Sequence, residues 1–413
     1  MSKFLWTQRS NFGPRPRTGS AIAFDSNRGR TVLFGGSSLS NGMNNDTWEW
    51  DGSFWTEMDD IGPFARTNAA MVFDTNRKVT VLFGGIGTAG ISGMNVIPGD
   101  TWQWDGSDWT QLSESGPTAR ASHAMAFDSN RNRIVLFGGA STVTLGDTWE
   151  FDGQDWTQVQ DIGPEARSAH CMAYDSVGKR SILFGGFSIN NSPLNDTWAW
   201  DGNEWVKIGE FGPSARFNAA MASNGGSLVL FGGGINPADP ATPAQVFADT
   251  WEFDGKLWTQ MQDIGPGPLQ GTSMAFDSAR GRVVLFGGLT SFKAPEGSGL
   301  VDFLSGFTWE APVATNVISS APVGVASVSL PPNVRSEQPV IIHITLTGPA
   351  PQGGAVVFLG GPIFRGVPPA PVTIAAGLTS ADITVTFMLP GVFTLTAQIQ
   401  GTPLVTIPVV LEI

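Results

Sequence analysis

The tripeptide Phe-Gly-Gly recurs six times, starting at Phe34, Phe83, Phe137, Phe184, Phe231 and Phe286, with 47 to 55 residues from one copy to the next. Self-similarity at such a period implies stacked supersecondary units, none of which can bury its own apolar faces alone. The features around each copy keep one order. A small-polar stretch such as ARASHAMAFD is followed by an apolar run such as RIVLFGG, a loop, the segment DTWEFDG and a closing segment such as DWTQV. Each unit therefore reads as four strands.

The residues give reasons for that reading. In the third unit the first strand ends at Phe127 and meets Asp128-Ser129-Asn130, whose side chains can bond the backbone ahead and start a reversal. The run Ile134-Val135-Leu136-Phe137 does not alternate, as expected of a strand covered on both faces. Gly138 and Gly139 then permit a close approach. Asp152-Gly153 is a hairpin dipeptide, because glycine accepts positive φ. With 52 Gly, 28 Pro and no sustained apolar spacing of three and four residues, the chain is expected to be all-β.

The tryptophans fix how the units close. Third strands carry Trp48, Trp102, Trp149, Trp198, Trp251 and Trp309, whereas fourth strands carry Trp55, Trp109, Trp156, Trp205 and Trp258, one fewer. Trp6-Thr7-Gln8 repeats Trp109-Thr110-Gln111, so the N-terminal strand should complete the last unit beside Phe307-Thr308-Trp309-Glu310 and leave no open sheet edge. These glycines, tryptophans and turn residues resemble the Kelch repeat, in particular its bacterial DTWxWDG variety, over residues 1–310. The resemblance implies a six-bladed Kelch β-propeller closed by its own N-terminal strand.

Composition changes at Ala311: beyond it there is no Trp or Lys, and the only charges are Arg335, Glu337, Arg365, Asp382 and Glu412. Residues 311–324 read as a linker. Alternating apolar stretches at 325–330, 340–347, 355–359, 372–375, 383–387, 393–398 and 405–411 predict about seven strands over 325–413. The segment PAPVTIAAGLTSADITVTF resembles Ig-like modules of bacterial surface and secreted proteins, which implies an Ig-like β-sandwich and favours an extracellular or cell-surface location. The N-terminal MSKFLWTQRS, however, lacks the apolar core of a secretory signal.

A net charge of −13 with no Lys/Arg run repels nucleic acid and anionic membrane surfaces. No stretch has the roughly 20 apolar residues that a membrane-spanning helix requires. The single cysteine, Cys171, excludes an intramolecular disulfide and a multi-cysteine zinc site. No cofactor and no metal are expected.

Strand alternation puts the loops between second and third strands, and the loops joining blades, on one face. The former vary widely: 37–45, 86–99, 140–146, 187–195, 234–248 and 289–306. Variable loops on a rigid scaffold are where binding usually resides. Candidate binding residues there are Asn44, Asn95, Phe187, Asn195, Phe247, Phe292 and Phe303. The same face carries Arg17, Arg66, Arg120, Arg167 and Arg216, which could clamp an acidic ligand. Third strands in those five blades open with Asp46, Asp100, Asp147, Asp196 and Asp249, and the sixth blade lacks both members, having Leu269 and Phe307. Joint loss favours structural ion pairs within each blade. His123 and His170 occupy equivalent places where other blades have Ser20, Ala69, Ala219 and Thr272, and they are expected to pack or hydrogen-bond rather than hold a metal.

Among activities associated with Kelch propellers, copper-radical oxidation requires two tyrosines, and Tyr174 is the only one. Motifs of hydrolases and nucleotide-binding enzymes (GxSxG, HExxH, a P-loop) are missing. The expected function is a non-catalytic module that recognises a protein or glycan on the face with the variable loops. Two alternatives stand beside it: a structural protein that self-assembles through its charge-poor C-terminal domain, and a sugar enzyme similar to sialic-acid mutarotases.

Overall fold

The computed structural model describes residues 5–10, 12–39, 42–58, 61–89, 94–113, 115–160, 162–190, 192–209, 212–235, 245–261, 265–293, 300–312, 325–331, 334–335, 339–346, 355–360, 372–375, 378–386, 391–399 and 405–412. The chain divides into two compact units, Trp6–Val313 and a second comprising Ala314–Ile413 with Met1–Leu5.

The first unit contains six antiparallel blades that share a four-strand plan. In the third blade the strands are Ala124–Asp128, Arg133–Ala140, Thr144–Phe151 and Trp156–Gln160, each paired with the next. The turns form as their residues dictate. Asp128 Oδ1 accepts the backbone N–H groups of Asn130 and Arg131 at 2.9 and 3.1 Å, and Asp152 Oδ1 does the same for Gln154 and Asp155. Ile134, Val135, Leu136 and Phe137 are all fully buried, as a strand sandwiched between neighbouring blades must be.

The inner strands, Ala21–Asp25, Ala70–Asp74, Ala124–Asp128, Cys171–Asp175, Ala220–Ser223 and Ser273–Asp277, each flank the next, and the last returns to the first. The ring is closed by chain ends far apart in sequence. Thr7–Ser10 pairs antiparallel with Thr308–Pro312, placing Thr7 opposite Glu310 and Gln8 opposite Trp309. This is the all-β, six-bladed, N-terminally closed ring that the repeat implied.

Polar bonds between blades follow the same circuit. Each fourth-strand indole donates to a threonine of the preceding blade: Trp55 to Thr308, Trp109 to Thr47, Trp156 to Thr101, Trp205 to Thr148, Trp258 to Thr197 and Trp6 to Thr250, at 2.7 to 3.0 Å. The Phe-Gly-Gly glycines serve the same junction. Gly36, at φ 97°, donates its N–H to the Arg66 carbonyl of the next blade at 2.9 Å, and a side chain there would meet the Thr18 carbonyl at 3.0 Å.

Several variable loops contain strands of their own. Leu289–Lys293 pairs with Leu300–Leu304, and Ile86–Ala89 bridges Met94–Val96 to Arg66–Thr67. In the third and fourth blades the second strand runs through its glycines into the loop, as Arg133–Ala140 and Arg180–Ser188.

The second unit has a sheet of Val325–Ser329, Pro339–Leu346 and Ser380–Thr386, and a sheet of Val334–Arg335, Val405–Glu412, Gly391–Ile399, Ala355–Gly360 and Val372–Ile374. Val328, Ile342, Ile344, Val357, Leu359, Ile374 and Leu395 from both sheets share one apolar core. The two-residue strand Val334–Arg335, parallel to Leu411 and Glu412, has no counterpart among the sequence-predicted strands.

Candidate functional site

The inner strands begin at the mouth of the central channel on the loop-bearing face, where equivalent residues form a closed hydrogen-bonded circle. The N–H of Asn68 donates to the Gly19 carbonyl, Ser122 to Asn68, Ala169 to Ser122, Asn218 to Ala169, Gly271 to Asn218 and Gly19 to Gly271, at 2.7 to 3.0 Å. All six residues are left-handed, with φ between 53° and 65°. Glycine and asparagine suit that conformation, whereas Ser122 and Ala169 adopt it at a cost of roughly 1–2 kcal/mol each. The circle uses one backbone donor and one acceptor from every blade.

The next residue in each blade faces the same cavity of about 150 Å³. Around the ring these are Ser20, Ala69, His123, His170, Ala219 and Thr272. Their chemistry is not six-fold. The histidines belong to the adjacent third and fourth blades and the hydroxyl residues to the sixth and first, where Ser20 Oγ donates to the Gly35 carbonyl at 3.1 Å, with an alanine blade between on either side. The full lining includes no carboxylate, lysine or arginine.

Both imidazoles are only 6 % exposed, and neither has a protein hydrogen-bond partner of normal geometry at either ring nitrogen. Thr272 Oγ1 is likewise buried without a partner. His123 packs edge-to-face on Phe83 at 5.4 Å, and His170 on Phe137 at 5.6 Å. Burial, then Arg120 and His170, push the proton affinity of His123 well below the ordinary imidazole value. Burial and Arg167 lower His170 to about 3, against the opposing Phe137 carbonyl and Asp196. Both rings are neutral at pH 7, so each has one donor and one acceptor nitrogen.

The five arginines lie just before this circle and are engaged within their own blades. Arg120 Nη1 and Nη2 meet the two Asp147 oxygens at 2.6 and 2.9 Å, Nη1 also reaches the Gly138 carbonyl, and Nε bonds the Thr118 carbonyl. Arg17 with Asp46, Arg66 with Asp100, Arg167 with Asp196 and Arg216 with Asp249 repeat this fork at 2.5 to 2.9 Å. Each carboxylate also accepts a third-strand indole N–H, from Trp48, Trp102, Trp149, Trp198 or Trp251. Burial alone would raise these carboxyls, yet the arginine bonds and charge outweigh it and hold all five below the usual range.

The loop residues do not converge on one point. Asn44 Nδ2 bonds the Gly36 carbonyl of its own loop. Phe187 stacks edge-to-face with Phe217 at 5.3 Å, and Phe247 lies 4.1 Å beneath the Arg216 guanidinium. Asn95, Asn195 and Phe303 are exposed. Phe292 pairs through its backbone with Val301, and its side chain falls outside the described residues.

Sequence reasoning does not single out the circle or its polarised second layer. A trace exists: the circle residue always follows Arg17, Arg66, Arg120, Arg167, Arg216 or Leu269 by two, and four of the six are Gly or Asn.

Comparison with known proteins agrees with this architecture. Residues 1–165 match the family model described as the KLHDC2/KLHL20/DRC7 Kelch-repeats domain. The chain carries a Kelch-repeat domain. A solved structure, that of YjhT, is similar with a TM-score of 0.57 at 14 % identity, covering 73 % of this chain and 96 % of its own. Identity that low establishes the fold alone. A protein from Lactobacillus plantarum superposes with a TM-score of 0.37 at 12 % identity, over 74 % of this chain and 96 % of its own. No curated protein sequence matches the chain.

Proposed function

We propose that the loop-bearing face of the Kelch ring is a recognition surface for a protein or a glycan, and that the chain performs no chemistry of its own. One observation carries this reading. The arginines of that face are bound to their own blades' aspartates, while the variable loops beside them build two-stranded ribbons, Ile86–Ala89 with Met94–Val96 and Leu289–Lys293 with Leu300–Leu304. A face so arranged offers loop surface for docking, with its five repeat arginines already engaged. Kelch-repeat domains generally mediate interactions, which agrees with this reading. A mutarotase-like use of the arginines on an acidic sugar would first have to break the ion pairs.

The proposal extends to the whole chain. On this reading 1–310 form the ring, of the bacterial DTWxWDG variety, with its last strand running on to Pro312, the rest of 311–324 is the linker, and 325–413 are an Ig-like sandwich, supported by two sheets that share one apolar core. The test is an array of glycans and peptides probed with the full chain. Replacing loops 86–99 and 289–306 with the short loop 140–146 should abolish hits without moving the melting transition. Hits that survive the exchange, or turnover of any bound sugar, would overturn the proposal.

A further inference from the structure

The second blade departs from the other five around one cavity. Phe64 stands where they have Arg15, Thr118, Glu165, Ser214 and Gly267, and Gly87 where they have Ser38, Ser141, Ser188, Ile235 and Thr290. The two changes fit together, because a side chain at residue 87 would collide with the Phe64 ring. The Arg66 guanidinium, 4.3 Å from the centroid of that ring, helps to hold it in place. Phe64 thereby becomes a wall of a cavity of about 430 Å³ that is also lined by Val96, Pro98, Asp100, Trp102 and Gln111. That volume falls within the range of about 300–1,000 Å³ typical of ligand pockets. The cavity shares no lining residue with the channel mouth, and Phe64, Val96, Pro98 and Trp102 all keep part of their surface open to solvent.

Charge restricts what such a cavity can take. Asp100 is its only charged lining residue, and both carboxylate oxygens are engaged, by Arg66 at 2.7 and 2.9 Å and by the Trp102 indole at 2.7 Å. Segment 86–99 contributes no charged residue. A charged guest would be desolvated without a counter-charge, whereas an uncharged apolar group removes the Phe64 and Trp102 rings from water.

Val96 also belongs to an open sheet edge. Met94–Val96 pairs with Ile86–Ala89, which pairs in turn with Arg66–Thr67, and on its outer side Met94–Val96 has no partner strand among the described residues. An open edge is a row of backbone donors and acceptors ready for another strand. An edge beside an apolar pocket suits an extended peptide, whose main chain bonds the strand while one side chain enters the pocket. A sugar would fill the cavity and leave the edge unused.

We infer that the second blade binds an extended, uncharged peptide segment, which adds as a strand beside Met94–Val96 and seats one apolar side chain against Phe64 and Trp102. This rests on the recognition reading above and narrows it to a protein partner held at one blade.

The experiment titrates the full chain with capped heptapeptides of Thr and Ser that carry one central residue X. It follows the indole ¹⁵N–H signals of Trp102 and of Trp149, its equivalent one blade on. With X as Leu or Phe, the Trp102 signal should move and the Trp149 signal should not. With X as Glu or Lys, binding should be about tenfold weaker or worse. Phe64→Ser, which installs the residue type of the fifth blade, should also cost about tenfold while the melting transition stays in place. Methylating alternate peptide nitrogens separates strand addition from a side chain docked alone: one register should abolish binding and the other should spare it. The inference is overturned if no peptide moves the Trp102 signal, if a charged X binds as well as Leu, or if both methylated registers bind alike. Glucose that moves the Trp102 signal where no peptide does would overturn it in favour of a sugar site. Array hits that survive Phe64→Ser but vanish on loop exchange would sink this cavity and leave the recognition face standing. Hits indifferent to both changes would sink the recognition face itself.

Discussion

The indole N–H of Trp6 donates to the Thr250 hydroxyl across 3.0 Å, joining residues 244 positions apart in the chain. It is the closing member of a circuit that the other blades complete with Trp55, Trp109, Trp156, Trp205 and Trp258. Gly265 makes room for it, since a side chain there would lie 2.6 Å from the Trp6 ring. Trp6→Ala should therefore cost about 3–5 kcal/mol, as for any large core aromatic. Trp6→Phe should cost about 1–2 kcal/mol, because the buried Thr250 hydroxyl loses its partner. Urea denaturation reads both, with Trp55→Phe as an internal ruler. If Trp6→Phe is neutral while Trp55→Phe is not, the N-terminal strand does not hold the ring shut.

The sixth blade is a natural double substitution of the Arg/Asp pair. Where the third blade has Arg120 and Asp147, the sixth has a buried Leu269 and Phe307. Arg120→Leu should destabilise by about 3 kcal/mol, since it leaves the Asp147 charge without its counter-ion, with only the Trp149 indole still bonding it, and removes a donor from the Gly138 carbonyl. Adding Asp147→Phe should recover most of that loss, leaving a deficit near 1 kcal/mol, because an ion pair and a well-packed apolar pair are close in energy. Thermal melts of the two singles and the double form the cycle. Additive losses would mean that the pair is not the unit of stability.

How much of this was legible in the sequence depends on whether a position repeats its chemistry or only its conformation. Phe-Gly-Gly, the tryptophans and Asp-Gly repeat their chemistry, so the blade plan and the place of Trp6 could be read directly. The joint absence of Arg and Asp from the sixth blade is likewise visible in sequence. The channel circle is different: Gly19, Asn68, Ser122, Ala169, Asn218 and Gly271 share a left-handed φ and a bonding role but no side-chain type. Period and composition carry no mark of that. The ribbons at 289–293 and 300–304 were hidden for another reason, as their residues lack a clear two-residue alternation.

A further pattern crosses from blade to blade. Trp50, Trp104 and Trp200 donate to Glu310, Glu49 and Glu150 of the preceding blades at 3.0 Å. Where the preceding blade has Gln103 or Ala199 instead, the tryptophan position holds Phe151 or Phe253. The sixth blade departs from this, with Ala311 facing a Glu252 that Asn224 and Ser227 already engage. In the other five blades the acid and the indole behave as one unit. Gln103→Glu together with Phe151→Trp should be more stable than the sum of the two singles by about 1 kcal/mol, with Arg77 placed to pair with the new carboxylate as Arg28 pairs with Glu49. A coupling indistinguishable from zero in denaturation midpoints would count against this.

The histidines make stability depend on mild acid. Both are neutral in the folded chain, with His170 lowered to about 3 and His123 well below its ordinary value. In the unfolded chain each takes up a proton near pH 6.5. Below that pH the unfolded state binds more protons than the folded one, so stability is whole above about pH 6.5 and declines as pH falls toward the folded values. The slope approaches about 1.4 kcal/mol per pH unit for each ring once the unfolded imidazoles are fully protonated. The neighbouring Asp196 does not blur the window, because its carboxyl is held below its usual range by Arg167. Between pH 6 and pH 5 the wild-type chain should lose about 2.4 kcal/mol relative to His123→Phe/His170→Phe, measured as urea midpoints at constant ionic strength. Parallel curves would mean that protons reach the imidazoles in the folded ring, and that the channel mouth is wetter than its burial implies.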